Sequence, residues 1–244
     1  MSPFLESRFN YGYVFLGLFL ASFATRIGST SIHGFSRAFL DETIPDEKKR
    51  HYFTLIKEQT ERMIKLVNDL LDMARMEAGQ LKIQPVIFNL SEMVRQVVAR
   101  MEPEFVKKQV NVELITEKAK DIQVFADPDR IDQVIVNLIQ NAVQFSSYGS
   151  SIEVILKKEE HAAISIRDYG SGIRQEDIEF MWERFYKANK ARTQKTGAGL
   201  GLSIVKYILD LHQSDILVES EVGRGTTFTF KLPIPRKESE HYEK

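Results

Sequence analysis

Cysteine is absent from this 244-residue chain, which rules out disulfides, thiolate metal sites and a thiol nucleophile, and suits a reducing compartment. Net charge is nearly absent too. Lys and Arg number 33 against 34 Asp and Glu, leaving −1, so the chain lacks the basic footprint that nucleic acid selects. Internal repeats and low-complexity tracts are lacking. So is a long apolar run. The best candidate lies between Arg8 and Arg26, with Tyr11 to Ala24 rich in Phe and Leu. It falls short of the ~20 residues that a spanning helix needs and has no basic start of the signal-peptide kind. Two readings stay open for residues 1–24: a membrane-associated end, or an apolar helix buried in a bundle. What is plentiful is apolar side chain, 43% of residues, enough for an ordinary domain and a smaller module.

Residues 25–79 read as a helical hairpin. Ile32, Phe35 and Phe39 form a helix stripe that ends near Asp41 to Pro45. From Asp46 to about Ala78 a second helix carries Ile56, Thr60, Met63, Val67, Leu70 and Ala74 in steps of four and three, the seam of a coiled coil. One hairpin cannot cover both its seams. A symmetric pair making a four-helix bundle solves this, and the alternative is a hairpin folded back on its own chain. Gly79 stops the helix, and residues 80–90 read as a linker with extended pieces around Pro85.

Residues 91–235 mix helix and strand, and residues 236–244 form a polar tail. Ser91 is placed to cap a helix bearing Val94, Val97, Met101 and Phe105. Strands are expected around Val110, Val112 and Leu114, Ile122 and Val124, Ile152 to Leu156, Ile164 and Ile166 leading into Asp168, Ile216 to Val218 and Thr226 to Leu232. Strand runs beside segregated helices make the class α+β, a two-layer α/β sandwich after a helical hairpin.

Three polar and glycine-rich runs follow one another in this segment. Asn137-Leu138-Ile139-Gln140-Asn141-Ala142 lies on a helix with apolar spacing, and Asp168-Tyr169-Gly170-Ser171-Gly172-Ile173 puts an acid before a glycine turn. Gly197-Ala198-Gly199-Leu200-Gly201-Leu202 is a second glycine turn opening a helix, whose N-terminal amides suit phosphate. Singly, each is most often a solvated face or a tight loop. Their ordered conjunction reads as a nucleotide pocket.

Together these runs resemble the N, G1 and G2 boxes of the ATP-binding domain of sensor histidine kinases, in the group that includes gyrase B, Hsp90 and MutL. Trp182 to Lys187 resembles the F box, and Ser220 to Phe228 the closing strand motif. The resemblance runs from Ile32 to Pro233. It implies ATP and Mg²⁺, with Asn141 giving an oxygen to the metal and Asn137 orienting phosphate or a metal-bound water. Asp168 would accept from the adenine amino group, beside Gly170, Gly172, Ile173 and Thr226. Gly197, Gly199, Leu200, Gly201 and Leu202 would flank a lid and meet phosphate, with Lys187 and Arg192 as lid cations. Trp182 and Phe185 read as core or lid packing. Gln144 stands where the family has Lys, and Asp210 to Ser214 lacks the usual glycines after His. The resemblance further implies a homodimer through the hairpin, a response regulator receiver domain as partner and a place on the cytoplasmic side, with the N-terminal segment as the candidate for membrane association; the charge balance already argues for no nucleic acid.

One family motif departs. Arg26, Thr30, Ser31, Ile32, Gly34 and Phe35 fit the segment around the phospho-acceptor His, yet counting back puts Phe23 at the acceptor position, Ala24 at its acidic neighbour and Gly28 at the Pro. His33 is a weak substitute, roughly 15 Å further along the helix and without an adjacent carboxylate. No catalytic residue is therefore assigned. Residues 1 to about 29 are expected to reflect a disrupted reading frame, which sequencing the encoding DNA tests. The leading expectation is a sensor histidine kinase of a two-component phosphorelay with the usual acceptor missing; the alternative is an ATP-binding regulatory or scaffold protein that does not phosphorylate itself.

Overall fold

The computed structural model describes residues 33–41, 44–117, 121–186 and 199–235, in two compact units that divide in sequence between Gly79 and Gln80. The expectations placed on residues 1–32 and on 236–244, including Phe23, Ala24 and Gly28, lie outside the described residues. Among those described, no helix is long and apolar enough to cross a membrane.

The first unit contains α1, described over residues 33–40, and α2, Asp46–Glu77. Asp46 and Glu47 open α2 and Arg75 sits in its last turn, each charge placed to complement the helix dipole. Gly79, at φ 61, ends it with its N–H on Met76 O. The two helices meet through rings: Phe39 stacks on Phe53 at 4.4 Å, and Phe35 meets Tyr52 edge-on at 5.3 Å.

On α2 the structure separates two stripes that the sequence merges. Tyr52, Ile56, Met63, Leu66 and Leu70 are half-buried and Met73 is buried, whereas Thr60 and Ala74 are exposed. Phe53, Ile64, Val67 and Leu71 are 59, 56, 43 and 51% exposed. The seam drawn through Ile56, Thr60, Met63, Val67, Leu70 and Ala74 thus runs between two faces, alternate members falling on each. The outer stripe at 60, 64, 67, 71 and 74 repeats in steps of four and three by itself. A helix with two neighbours needs two apolar stripes, and a single heptad reading reports only their average.

In the second unit the order is β1 (Val86–Asn89), α3 (Leu90–Lys108), β2 (Asn111–Glu117), β3 (Gln123–Ala126), α4 (Pro128–Phe145), β4 (Ser151–Lys158) and β5 (His161–Asp168). Then come α5 (Gln175–Ile178), a tight turn at Phe180–Trp182, α6 (Gly201–Leu211), β6 (Ile216–Glu221) and β7 (Gly225–Pro233). β1 and β3 form a two-stranded ribbon, and the main sheet runs β2-β4-β5-β7-β6. Only β2 with β4 is parallel among its pairings. Alternation sends Ile152, Val154, Leu156, Ile164, Ile166, Phe228, Phe230 and Leu232 into the interior, where the apolar stripes of α3, α4 and α6 are buried as well. This is the expected two-layer sandwich.

Two local details differ from expectation. Asn89, not Ser91, caps α3: its side chain accepts from Glu92 N–H at 3.0 Å, while the buried Ser91 hydroxyl accepts from Ile122 N–H at 3.1 Å. Both residues have a short acceptor, and only the chain direction before the helix decides between them. Residues 80–90, read as a linker, bring β1 and the buried Leu81 and Leu90 to the second unit.

Candidate nucleotide site

β5 delivers the acid. Its inward positions include Ile164, Ile166 and, last, Asp168, so strand alternation carries a carboxylate to the buried face, where it is 5% exposed. Asp168 Oδ1 accepts from Gly170 N–H at 2.9 Å, and the N–H of Thr226 is a second backbone donor to the carboxylate. Burial nevertheless outweighs these bonds and holds the Asp168 carboxyl above its ordinary value.

The glycines of this turn are required by space. A Cβ on Gly170 would fall 2.3 Å from Phe145 O, and one on Gly172, at φ 66, would fall 2.0 Å from Glu221 O. Ser220 braces the far side: its hydroxyl accepts from Ile173 N–H at 2.8 Å, donates to Gly225 O at 3.0 Å and lies 2.9 Å from Thr226 Oγ1. Asp168, Gly170 and Thr226 are therefore joined directly and Ile173 through Ser220, while Gly172 packs against Glu221.

α4 supplies the other end. Asp127 caps it through Arg130 N–H at 3.1 Å, Pro128 opens the first turn, and the cap is held by Gln84 N–H on its second oxygen and by its own N–H on His212 Nε2 at 3.0 Å. His212 thus has a structural task. From this fixed start, helical spacing puts Asn137 in the buried stripe, against the start of α6: a methyl on Gly201 would lie 3.3 Å from Asn137 Oδ1. One turn later, Asn141 Nδ2 is enclosed with no hydrogen-bond partner among the described residues.

No side chain caps the N-terminus of α6, so its first amides keep the partial positive charge that draws anions. Leu200 is buried and Leu202 half-buried there. Phe185 N–H donates to Gly199 O at 2.9 Å, which joins the two chain ends flanking residues 187–198. Lys187, Arg192 and Gly197 lie outside the described residues. Trp182 packs edge-on to the buried Phe228 at 6.2 Å, as a packing residue should. His33 is exposed at the start of the described part of α1.

Some participants were not assigned from the sequence. Tyr186 donates to Asp177 Oδ1 at 2.5 Å, and Arg174 Nε bonds Asp177 Oδ2 at 2.8 Å, so this buried acid ties α5 to the F-box segment. These bonds, the tyrosine's first, hold the Asp177 carboxyl below its ordinary value. Ser220 shares a β6 face with Ile216 and Val218; a lone hydroxyl in that alternation was the available signal.

Comparison with known proteins gives these features a context. Residues 126–236 match the family of histidine kinase-, DNA gyrase B- and HSP90-like ATPases, and residues 30–79 match the His Kinase A (phospho-acceptor) domain. The chain is 36% identical over 211 residues to sensor histidine kinase YclK of Bacillus subtilis (strain 168), covering 86% of this chain and 44% of that protein. Among solved structures it is similar to the catalytic domain of histidine kinase ThkA, at 30% identity and a TM-score of 0.56, covering 62% of this chain and 97% of that one. It is also similar to histidine kinase ThkA in complex with response regulator protein TrrA, at 25% identity and 0.65, covering 92% and 64%. The chain spans less than half the length of the curated relatives it matches.

Proposed function

The chain belongs to the sensor histidine kinases, and on that premise we propose that its second unit binds ATP with Mg²⁺ along α4 while its hairpin pairs two chains. The observation that carries the reading is the pairing of opposite chemistries along one helix. A buried carboxylate that can accept from an amino group stands beside the last turn of α4, and Asn137 adjoins an uncapped helix N-terminus that suits phosphate. Asp168, Gly170, Gly172, Ile173 and Thr226 take the base; Asn137, Gly199, Leu200, Gly201 and Leu202 take the phosphates, and the resemblance assigns Lys187, Arg192 and Gly197 to the phosphates as well.

Asn141 fits Mg²⁺. No described residue uses its enclosed amide nitrogen, and a half-turn of the side chain presents the oxygen in that place. No cluster of three His, Asp or Glu among the described residues could hold a metal by itself. A cation here therefore completes its shell with phosphate and water, as Mg²⁺ does. When bound, it neutralises phosphate charge.

In the family reaction an imidazole nitrogen attacks the γ-phosphorus, the bond to the bridging oxygen breaks and ADP leaves. The phosphoryl group then passes to an aspartate of a response regulator receiver domain. Phe23 at the counted acceptor position favours a second reading, in which this chain binds ATP and pairs but regulates rather than phosphorylates itself. The exposed outer stripe of α2 supports pairing; a one-chain mass by light scattering would remove it. Incubation with γ-labelled ATP decides the rest. Acid-labile, base-stable label that His33→Ala abolishes makes the chain a kinase. ATP binding without label makes it a regulator, and absence of ATP binding overturns the site.

A further inference from the structure

Two buried side-chain polar atoms lack a hydrogen-bond partner among the described residues, and both lie toward the end of α4: Asn141 Nδ2 and Ser146 Oγ. The first already belongs to the proposed nucleotide site. Ser146 has no task yet. It is 4% exposed, directly after the last helical residue, and its N–H closes the helix on Ala142 O at 3.0 Å. With its backbone bond made, the hydroxyl is left over, and a buried hydroxyl is rarely left without a partner.

The peptide before it lies against the turn that carries Asp168. The carbonyl joined to Ser146 N is that of Phe145, which accepts from Ser171 N–H at 3.3 Å. A Cβ on Gly170 would sit 2.3 Å from that oxygen and 2.8 Å from Asp168 Oδ1. Ser146 is thus one peptide from the turn that carries Asp168. From Asn137, which adjoins Gly201, it is about 13 Å along the helix, so it falls at the base end of the groove and away from the phosphates.

We propose that the Ser146 hydroxyl reads the base: when a purine nucleotide seats beside Asp168, the hydroxyl donates to a ring nitrogen, directly or through one enclosed water. This rests on the nucleotide site proposed above. An ionised carboxylate only accepts and can read only an amino group, whereas ring nitrogens accept and need a donor. Asp168 and Ser146 together supply both halves.

The test is calorimetric binding of ATP and of its 1-deaza, 3-deaza and 7-deaza analogues to the full chain and to Ser146→Ala and Ser146→Thr. We expect Ser146→Ala to bind ATP about tenfold more weakly, near one lost hydrogen bond. One deaza analogue should bind wild type as weakly as ATP binds that variant, and lose nothing further on the substitution. Ser146→Thr, which keeps the hydroxyl, restores ATP affinity. If every ligand shifts together, or none does, the hydroxyl serves only the fold and the inference falls. If wild type binds no nucleotide, the site itself falls and takes this inference with it.

Discussion

The two ends of the proposed nucleotide site are built by opposite rules. At the base end, Asp168, Gly170, Gly172, Ser220 and Thr226 are interlocked, and an added methyl at either glycine would meet backbone at 2.3 Å or less. At the other end α6 starts without a side-chain cap, and the Asn141 amide nitrogen between the two has no partner, among the described residues. A ring of fixed shape is best recognised by a cavity that is already made, since ordering is then not charged to binding. Phosphates and their cation demand charge and open coordination, which are easier to leave unfilled than to prebuild.

Breaking the rigid end should cost most. Gly172→Ala places a Cβ 2.0 Å from Glu221 O at φ 66, a clash with backbone in a conformation that L-residues avoid. We expect a loss of about 3 kcal/mol in chemical denaturation, with ATP binding lost alongside.

Asp168→Asn should separate binding from stability. Losing the charged acceptor should weaken ATP by roughly 10- to 100-fold, the value of a bond to a charged group. Nucleotide-free stability should not fall. Because burial raises the carboxyl above 3.8, the folded state holds its proton more tightly than the unfolded chain. Stability from this group is therefore full below 3.8 and lost as pH rises through the folded value. Urea unfolding across that interval should show the decline in wild type and a flatter profile in the variant; matching profiles would remove the burial assignment.

The smallest effect belongs to the open end. Asn141→Ala removes one oxygen ligand and one unpartnered amide, so stability should hold or rise slightly. The Mg²⁺ concentration needed for half-maximal ATP binding should increase about tenfold. An unchanged Mg²⁺ titration would take the metal away from Asn141 and leave Asp168 untouched.

Much of the second unit was legible in advance because strand alternation and helix spacing report burial directly. Val94, Val97, Met101 and Phe105 all proved to be buried on α3, as did Leu138 and Ala142 on α4. The α2 stripes were less legible, since two apolar faces on one helix add to a single periodic signal. The α3 cap was misplaced because Asn89 and Ser91 have equivalent side-chain chemistry and only the path of β1 separates them. Asp177 and Tyr186 escaped notice because their bond joins residues nine apart across a turn, with no period to announce it.

By itself, the sequence determined the order and kind of the elements and the residue types at the site: an acid before a glycine turn, an Asn pair on an amphipathic helix, and Phe23 at the counted acceptor position. These are local properties, set by periodicity and by backbone freedom at glycine. Tertiary structure decided which polar atoms are used up and which are left over. Ser91 and Ser220 look no different from Ser146 in the chain, yet two are bonded across the fold and one has no side-chain partner among the described residues. Hydrogen-bond satisfaction depends on what lies opposite after packing, and residues 31 and 47 positions away supply the partners of Ser91 and Ser220 only once the sheet and helices have closed on each other.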